Sequence, residues 1–348
     1  MIELLIRPHL KQFEPYRSAR SEVRNAHILM DANELSLGSP VMRDGIQLNR
    51  YPDPYQITLR EKLAEQVGLS ADMVFTGVGS DEIIDLLVRL FCEPLKDSVA
   101  ILEPTYGVYR VAAEINNVGI ISIELDEEFH IDVDQTLNAI SLSTKILFCC
   151  SPNNPTGNLL RRSDILRLCK TVNALVVVDQ AYVEFADDSG DVTSDVNEYE
   201  NLVVLKTLSK AWGLAGIRLG YCIANPTVIS YLLRIKAPYN INALTSQTAL
   251  DGLSRKEFLV SSLSRIVEGR KQLASRLSNL PGVVRVYPSD TNFLLVEFRN
   301  ALHVYERLSR GGIIVRRRRE PRLRNCLRIT VGTPEENNLL LENLADCA

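Results

Sequence analysis

The sequence contains no C-x-x-C pair and no cluster of histidines at metal-ligand spacing. Its seven cysteines are scattered, and Cys149, Cys150 and Cys222 sit inside apolar runs. That usage reads as reduced thiols in the core of a cytoplasmic protein, not as a disulfide framework. The four histidines, His9, His27, His130 and His303, lie far apart, so no metal is expected. No apolar stretch approaches the ~18 residues that a membrane-crossing helix needs. The opening segment, residues 1–8, is too short and wrongly charged for a signal peptide. Positive charge is not in excess either. The formal net charge of -4 argues against nucleic acid or an anionic membrane as a partner. What is present is ordinary globular composition, 46% hydrophobic and 24% charged, in a chain of 348 residues, long enough for two domains.

One stretch carries more chemistry than any other: Thr207-Leu-Ser-Lys-Ala-Trp-Gly-Leu-Ala-Gly-Ile-Arg-Leu-Gly220. It follows an apolar run, 202–205, that reads as a buried strand. Lys210 stands at the lip of that strand. Desolvation there lowers the pKa of an amine, and a lysine so lowered is a nucleophile able to form a Schiff base. The hydroxyls of Thr207 and Ser209 and the guanidinium of Arg218 suit a phosphate. The combination reads as a site for an aldehyde that carries a phosphate, and pyridoxal phosphate is such a molecule. Taken alone, the stretch fits a strand ending in a solvent-facing lysine equally well.

Other segments bear on that choice. Residues 73–82 read as a strand, a glycine turn and a helix with Ser80 at its N-cap, where backbone N–H groups form an anion site. Glu82 stands where a dinucleotide fingerprint needs its third glycine, so that reading fails. A phosphate cradle and a plain turn both remain open. Tyr106 leaves the strand at 99–102 and either stacks on a planar ligand or fills the core. Ser151-Pro-Asn-Asn-Pro-Thr-Gly157 is a loop fixed by two prolines and a glycine, at the carboxyl end of a strand over 145–150. Open α/β sheets bind ligands there, and Asn154 would donate from a fixed position. Asp179 closes the continuous apolar run 176–178, and a carboxylate at that depth needs a cation or strong donors. A protonated pyridine nitrogen would serve, with Tyr182 close enough to reach the same ligand; the alternative is that Asp179 caps the next turn. In the N-terminal arm, Tyr16 and Asn33 are candidate ligand contacts, Tyr16 equally a packing anchor. The basic run at 316–324 reads mostly as solvated loop. Arg328 differs, because it lies within a strand, where an arginine can clamp a carboxylate or phosphate.

The pattern predicts an α/β protein: a large αβα domain with a mostly parallel central sheet, and a small C-terminal α+β domain. Helices are expected over 57–67, 83–91, 163–173, 226–235 and 256–280, and a polar surface loop over 187–199. The last hundred residues alternate strand, strand, helix, strand, strand, helix, with strands at 283–287, 292–298, 313–315 and 326–331. The expected divisions are an arm, 1–45, packing on the small domain; a large ligand-binding domain, 46–245; and a small domain, 246–348.

Together these pieces resemble the fold-type I, pyridoxal-phosphate-dependent aminotransferases, and within their class II subfamily the histidinol-phosphate aminotransferase family. The likeness runs from about residue 14 to residue 333. Its matching pieces are the motifs at 151–157, 179–185 and 207–211, and Cys-Leu-Arg-Ile-Thr-Val-Gly at 326–332. Pro-Tyr-x-Ser-Ala-Arg at 15–20 and Asn-x-Tyr-Pro at 49–52 point to the narrower family. The resemblance implies that Lys210 forms the Schiff base and shuttles the proton, and that Asp179 pairs with the ring nitrogen. Asn154 and Tyr182 would bond the ring's phenolic oxygen while Tyr106 stacks on it. The phosphate would be held by the backbone at Ser80 and Asp81 and by Thr207, Ser209 and Arg218, with Tyr51 reaching in from the partner of a homodimer. Arg328 would hold the substrate anion, assisted by Arg316 and Tyr16, with Asn33 nearby. The implied activity is a cytoplasmic transamination between L-histidinol phosphate and 2-oxoglutarate in histidine biosynthesis. Threonine-phosphate decarboxylase, an aromatic amino-acid aminotransferase and a non-catalytic cofactor-binding protein are the rivals. Two features depart from the family pattern: Gln180 stands where glutamate is usual, and the arginine run at 316–319 is unusual.

Overall fold

The computed structural model describes residues 1–15, 28–41, 43, 45–186 and 190–345. A short helix α1, Ile2–Leu5, and the helix α2, Ile57–Val67, precede an alternating series. That series is β1 Val74–Val78, α3 Gly79–Phe91, β2 Ser98–Glu103, α4 Val108–Ile115, β3 Gly119–Glu124, α5 Val133–Ala139, β4 Thr144–Cys150, α6 Arg162–Thr171 and β5 Leu175–Asp179. Strands β6 Leu202–Thr207 and β7 Leu219–Ala224 and helices α7 Pro226–Ile235 and α8 Ala243–Leu253 complete the large unit. Its seven strands lie in the order β1-β7-β6-β5-β4-β2-β3. All neighbours are parallel except β7, which runs antiparallel to β1 and β6.

The apolar runs of β5 and β6 explain their central place. Val176, Val178, Leu202 and Val204 enter one core, and Leu175, Val177, Val203 and Leu205 enter another on the opposite face. A strand that must be apolar on both faces reads as a continuous run, because helices cover each side of a parallel sheet. The carboxyl ends of β1, β2, β4, β5 and β6, and the start of β7, therefore share one edge. That edge receives Ser80, Tyr106, Asn154, Asp179, Lys210 and Arg218.

The small unit has α9 Lys256–Ser278, β8 Val283–Val286, β9 Phe293–Phe298, α10 Ala301–Arg310, β10 Arg316–Arg317, β11 Cys326–Thr330 and α11 Pro334–Ala345. Its sheet is antiparallel in the order β10-β11-β9-β8 and has its own core, built from residues such as Leu273, Leu294, Leu308, Leu327 and Leu341. Ala181, Tyr182 and Ala211 of the large unit pack with Phe293 of the small one, with Leu259, Leu263 and Ile266 alongside.

Several expectations need correction. The start of the arm packs on the large unit, not the small one: Ile2, Leu5 and Ile6 are buried in the α3 and α7 core, and Arg7 pairs with Glu93 at 3.1 Å. The expected division at residue 246 falls inside α8, which packs against α2 and the turn at 215–217. Helices α4, α5 and α8 fall where none was expected, although Asp132 and Asn242 cap two of them in the usual way. Residues 192–196 are mostly buried rather than a surface loop; Val192 and Val196 join the core, and Asp195 pairs with Arg162. The strand expected at 313–315 forms instead at Arg316–Arg317. Ser80 does not cap α3. The N-cap is Val78, which has no capping side chain, and the carboxylate of Glu82 accepts the Val78 N–H at 2.6 Å from within the helix.

Candidate active site

Asp179 forms the floor. The residue is 3% exposed, and among the described residues no cationic side chain lies within salt-bridge distance of its carboxylate. The Tyr109 hydroxyl donates to Oδ2 at 2.7 Å and the Ala181 N–H to Oδ1 at 3.1 Å. Burial pushes the carboxyl pKa up; those two bonds and, more weakly, Lys210 oppose the shift. Tyr109 is itself fully buried, stacked on Phe148 at 4.7 Å and edge-on to Tyr106 at 5.7 Å. Sequence reasoning missed it. The available signal was its place three residues after Tyr106, one turn on if the segment is helical.

Lys210 follows β6 and extends over the ring of Tyr182, 5.5 Å from the centroid. Much of the side chain is exposed to the pocket, but its amine end sits deep enough for desolvation to lower the pKa. Arg328 lowers it further, while Asp179 and Asp81 act in the opposite sense.

Above the start of α3 the backbones of two segments press together. Gly79 has φ +71°, and its N–H donates to the Arg218 carbonyl at 2.8 Å. A Cβ on Gly220 would lie 2.3 Å from the Ser80 nitrogen, so only glycine permits this approach. Asp81 accepts from Arg218 at 3.3 Å and from the Tyr106 hydroxyl at 3.1 Å. The Thr207 hydroxyl donates to the Leu219 carbonyl at 3.2 Å and accepts the Ser209 N–H at 3.1 Å, which fixes the turn that presents Ser209 and Lys210.

The small unit supplies the lid side. Arg328 donates to the side-chain oxygen of Asn154 and lies over Phe293, 5.3 Å from the ring centroid. Burial lowers the Arg328 pKa, Tyr182 opposes this, and Arg318 and Arg316 lower it further. The loop that holds Asn154 is braced by Asn153, which donates to Pro104 and Thr156 and accepts from Thr105.

One cavity of about 150 Å³ is lined by Ser80, Asp81, Tyr106, Asn154, Asp179, Tyr182, Thr207, Ser209, Lys210, Arg218 and Arg328. Eleven of the expected site residues thus converge. Arg316 lines an adjoining cavity of about 1010 Å³, which shares Tyr106, Asn154 and Arg328 with the first. Asn33 and Tyr51 are not brought to Lys210 within this chain. They line a third cavity of about 480 Å³, where Tyr51 is half exposed and stacks on Tyr239 at 4.6 Å. Tyr16 lies outside the described residues.

This donor set fits a pyridine aldehyde bearing a phosphate. A buried carboxylate without a salt-bridge partner suits a cationic ring nitrogen, a depressed lysine suits an aldehyde, and a glycine-lined helix start beside Arg218 suits a phosphate.

The sequence matches the family model for aminotransferase class I and II over residues 22–344. It is 44% identical over 345 residues to the histidinol-phosphate aminotransferase of Cytophaga hutchinsonii, covering 99% of this chain and 98% of that one. It is 42% identical to that of Bacteroides thetaiotaomicron, covering 99% and 98%. Among solved structures, the histidinol-phosphate aminotransferase of Sinorhizobium meliloti in complex with pyridoxal-5'-phosphate superposes with a TM-score of 0.80 at 23% identity, over 85% of this chain and 82% of that one. The L-threonine-O-3-phosphate decarboxylase of Porphyromonas gingivalis gives 0.73 at 23% identity, over 86% and 91%, which is a likeness of fold. The chain belongs to the class I and II aminotransferases and, within them, to the histidinol-phosphate aminotransferase family of pyridoxal-phosphate enzymes.

Proposed function

We propose that the enzyme transfers the amino group of L-histidinol phosphate to 2-oxoglutarate, giving imidazole-acetol phosphate and L-glutamate in histidine biosynthesis. One observation supports this most: Arg328 lines the cavity that also holds Lys210 and Asp179, and Arg316, opposite it on the paired strand, lines the cavity adjoining. Two small substrates must use that space in turn. One carries a phosphate ester where the other carries an α-carboxylate, and a guanidinium accepts either anion bidentately.

The cofactor supplies an electron sink for the charge left when the donor's Cα proton departs. This chain's residues do the rest. Asp179, oriented by Tyr109, keeps the ring nitrogen protonated. The Lys210 amine would remove and return the proton, and its lowered pKa leaves more of it unprotonated near neutral pH than an ordinary lysine. Asn154 and Tyr182 hold the phenolic oxygen, and Tyr106 covers the ring. Backbone N–H groups at Ser80 and Asp81, with Thr207, Ser209 and Arg218, hold the phosphate. Arg328, Arg316 and Tyr16 hold the substrate anion.

A homodimer completes this reading. Tyr51, half exposed and outside the cavity that holds Lys210 in its own chain, would reach the partner's phosphate site, and Asn33 lines the same cavity as Tyr51. The described helices include none long and apolar enough to cross a membrane, and six free cysteines are buried, so the cytoplasm is the expected compartment.

Glutamate formation from 2-oxoglutarate with histidinol phosphate, on purified protein, is the direct test. Release of CO2 from threonine phosphate with no such transamination would replace the reading with a decarboxylase. Failure of glutamate to change the cofactor's absorbance would leave a binding protein.

A further inference from the structure

Resting on the reading that the amino donor carries a phosphate, we propose that Arg318, with Glu320 as its internal counter-ion, distinguishes a phosphate monoester from a carboxylate in the substrate cavity. The geometry begins with register. Arg316 stands opposite Arg328 and Arg317 opposite Leu327. The ladder continues one step, because the Arg318 N–H donates to the Cys326 carbonyl at 3.3 Å. Opposed residues, and residues two apart, project to the same side of a sheet. Arg316, Arg318 and Arg328 therefore share a face, and all three line the 1010 Å³ cavity beside Tyr106 and Asn154.

Arg318 differs from the other two in its partner. Its side chain is 12% exposed and forms an ion pair with the Glu320 carboxylate, whose other oxygen accepts the Arg319 N–H at 2.9 Å. Its Nε is buried and unbonded. Arg328, by contrast, donates to a neutral amide, that of Asn154. Without substrate, then, the charge of Arg328 is uncompensated by any carboxylate among the described residues, and that of Arg318 is neutralised in the cavity wall.

A carboxylate has one charge and two oxygens, and one bidentate guanidinium saturates it. A phosphate monoester has up to two charges and three terminal oxygens, so a further donor gains from joining. To bind, Arg318 must leave Glu320. A dianion competes for it better than a monoanion, because the attraction scales with charge. A carboxylate thus leaves the Arg318–Glu320 pair closed, and a phosphate opens it. Arg318 is a specificity residue and takes no part in moving the proton.

The test compares wild type, R318Q and E320Q as cofactor-loaded enzymes. The readouts are KM for histidinol phosphate, KM for glutamate and inhibition by inorganic phosphate. R318Q should raise KM for histidinol phosphate and weaken phosphate inhibition by about 10- to 100-fold, the range for one hydrogen bond to a charged group, with less than about threefold on glutamate. E320Q should act in the opposite direction. It frees Arg318 and tightens phosphate inhibition, a gain that misfolding cannot produce, and leaves KM for glutamate within about threefold, since Arg328 already saturates the carboxylate. Equal rises in both KM values for R318Q, or weaker phosphate inhibition in E320Q, would overturn the selector while leaving the function standing. Wild-type enzyme that does not transaminate histidinol phosphate would overturn the functional reading itself, and the selector with it.

Discussion

The two walls of the site are made differently. The wall from the large unit is the end of a parallel sheet, and several of its polar groups are already paired: Asp179 with Tyr109, Asp81 with Arg218 and Tyr106, Thr207 with Leu219. The wall from the small unit is a short strand of arginines in charge excess, with one glutamate to offset them. The first holds a resident group in one pose, so its dipoles are fixed in advance. On the proposed function the second would receive two substrates in turn, and its charge is held in reserve.

That contrast predicts where substitution hurts most. K210A on the rigid wall should lower turnover by about 10⁴-fold or more, since both the nucleophile and the proton carrier are lost. If R328Q proves as damaging as K210A, the division of labour between the walls is wrong. The comparison is made by steady-state rates for both half-reactions.

D179N comes next. Turnover should fall by about 10²- to 10³-fold, comparable to removing one preorganised group from other sites. The same change should raise the melting temperature of cofactor-free protein at neutral pH. The sign follows from linkage. Burial raises the folded-state pKa of Asp179 above its unfolded value of 3.8. A raised carboxyl favours folding while protonated, and that contribution is lost as pH rises through the folded pKa. Asparagine removes the loss; its one oxygen keeps the bond from the Tyr109 hydroxyl, and the weaker bond from the Ala181 N–H is given up. A melting temperature that falls, or a gain that persists below pH 4, would show that Asp179 is not destabilising when empty.

Y109F sharpens the point, because it removes the hydroxyl that donates to Asp179 and keeps the ring that packs on Phe148 and Tyr106. Deleting a hydrogen bond to a charged group should cost about 10-fold in turnover, with KM for both substrates nearly unchanged. A larger effect on KM than on turnover would place Tyr109 with the substrate wall. This residue also marks the limit of what the sequence discloses. Lys210, Asp179 and the loop at 151–157 were legible because each sits where an apolar run or a proline pair ends, a local signal. Tyr109 acts across 70 residues, from a helix that the reading did not place. The burial of 192–196 escaped for the same reason: Asp195 looks solvent-facing until Arg162 is brought to it. Asn33 and Tyr51 line a cavity that does not include Lys210, and a role for them at the site needs a second chain, which no local signal describes.

The smallest effect is expected at Gln180, and it separates the site from the scaffold behind it. Gln180 neighbours Asp179 yet does not line the pocket; successive strand residues project to opposite faces. Its amide is fully buried and donates to the Gly190 carbonyl at 2.8 Å, while its Oε1 has no partner. Glutamate would lose that donor and bring a second buried carboxyl to a region where burial already raises the Glu184 pKa. Q180E should therefore change turnover by less than about threefold while lowering stability by about 1–3 kcal/mol, measured by denaturant midpoint at pH 7.5. Because a buried carboxyl is easier to accommodate when protonated, that penalty should shrink toward pH 5. A rate many-fold higher in Q180E, with no loss of stability, would instead make position 180 part of the rigid wall, and the glutamine a brake on it.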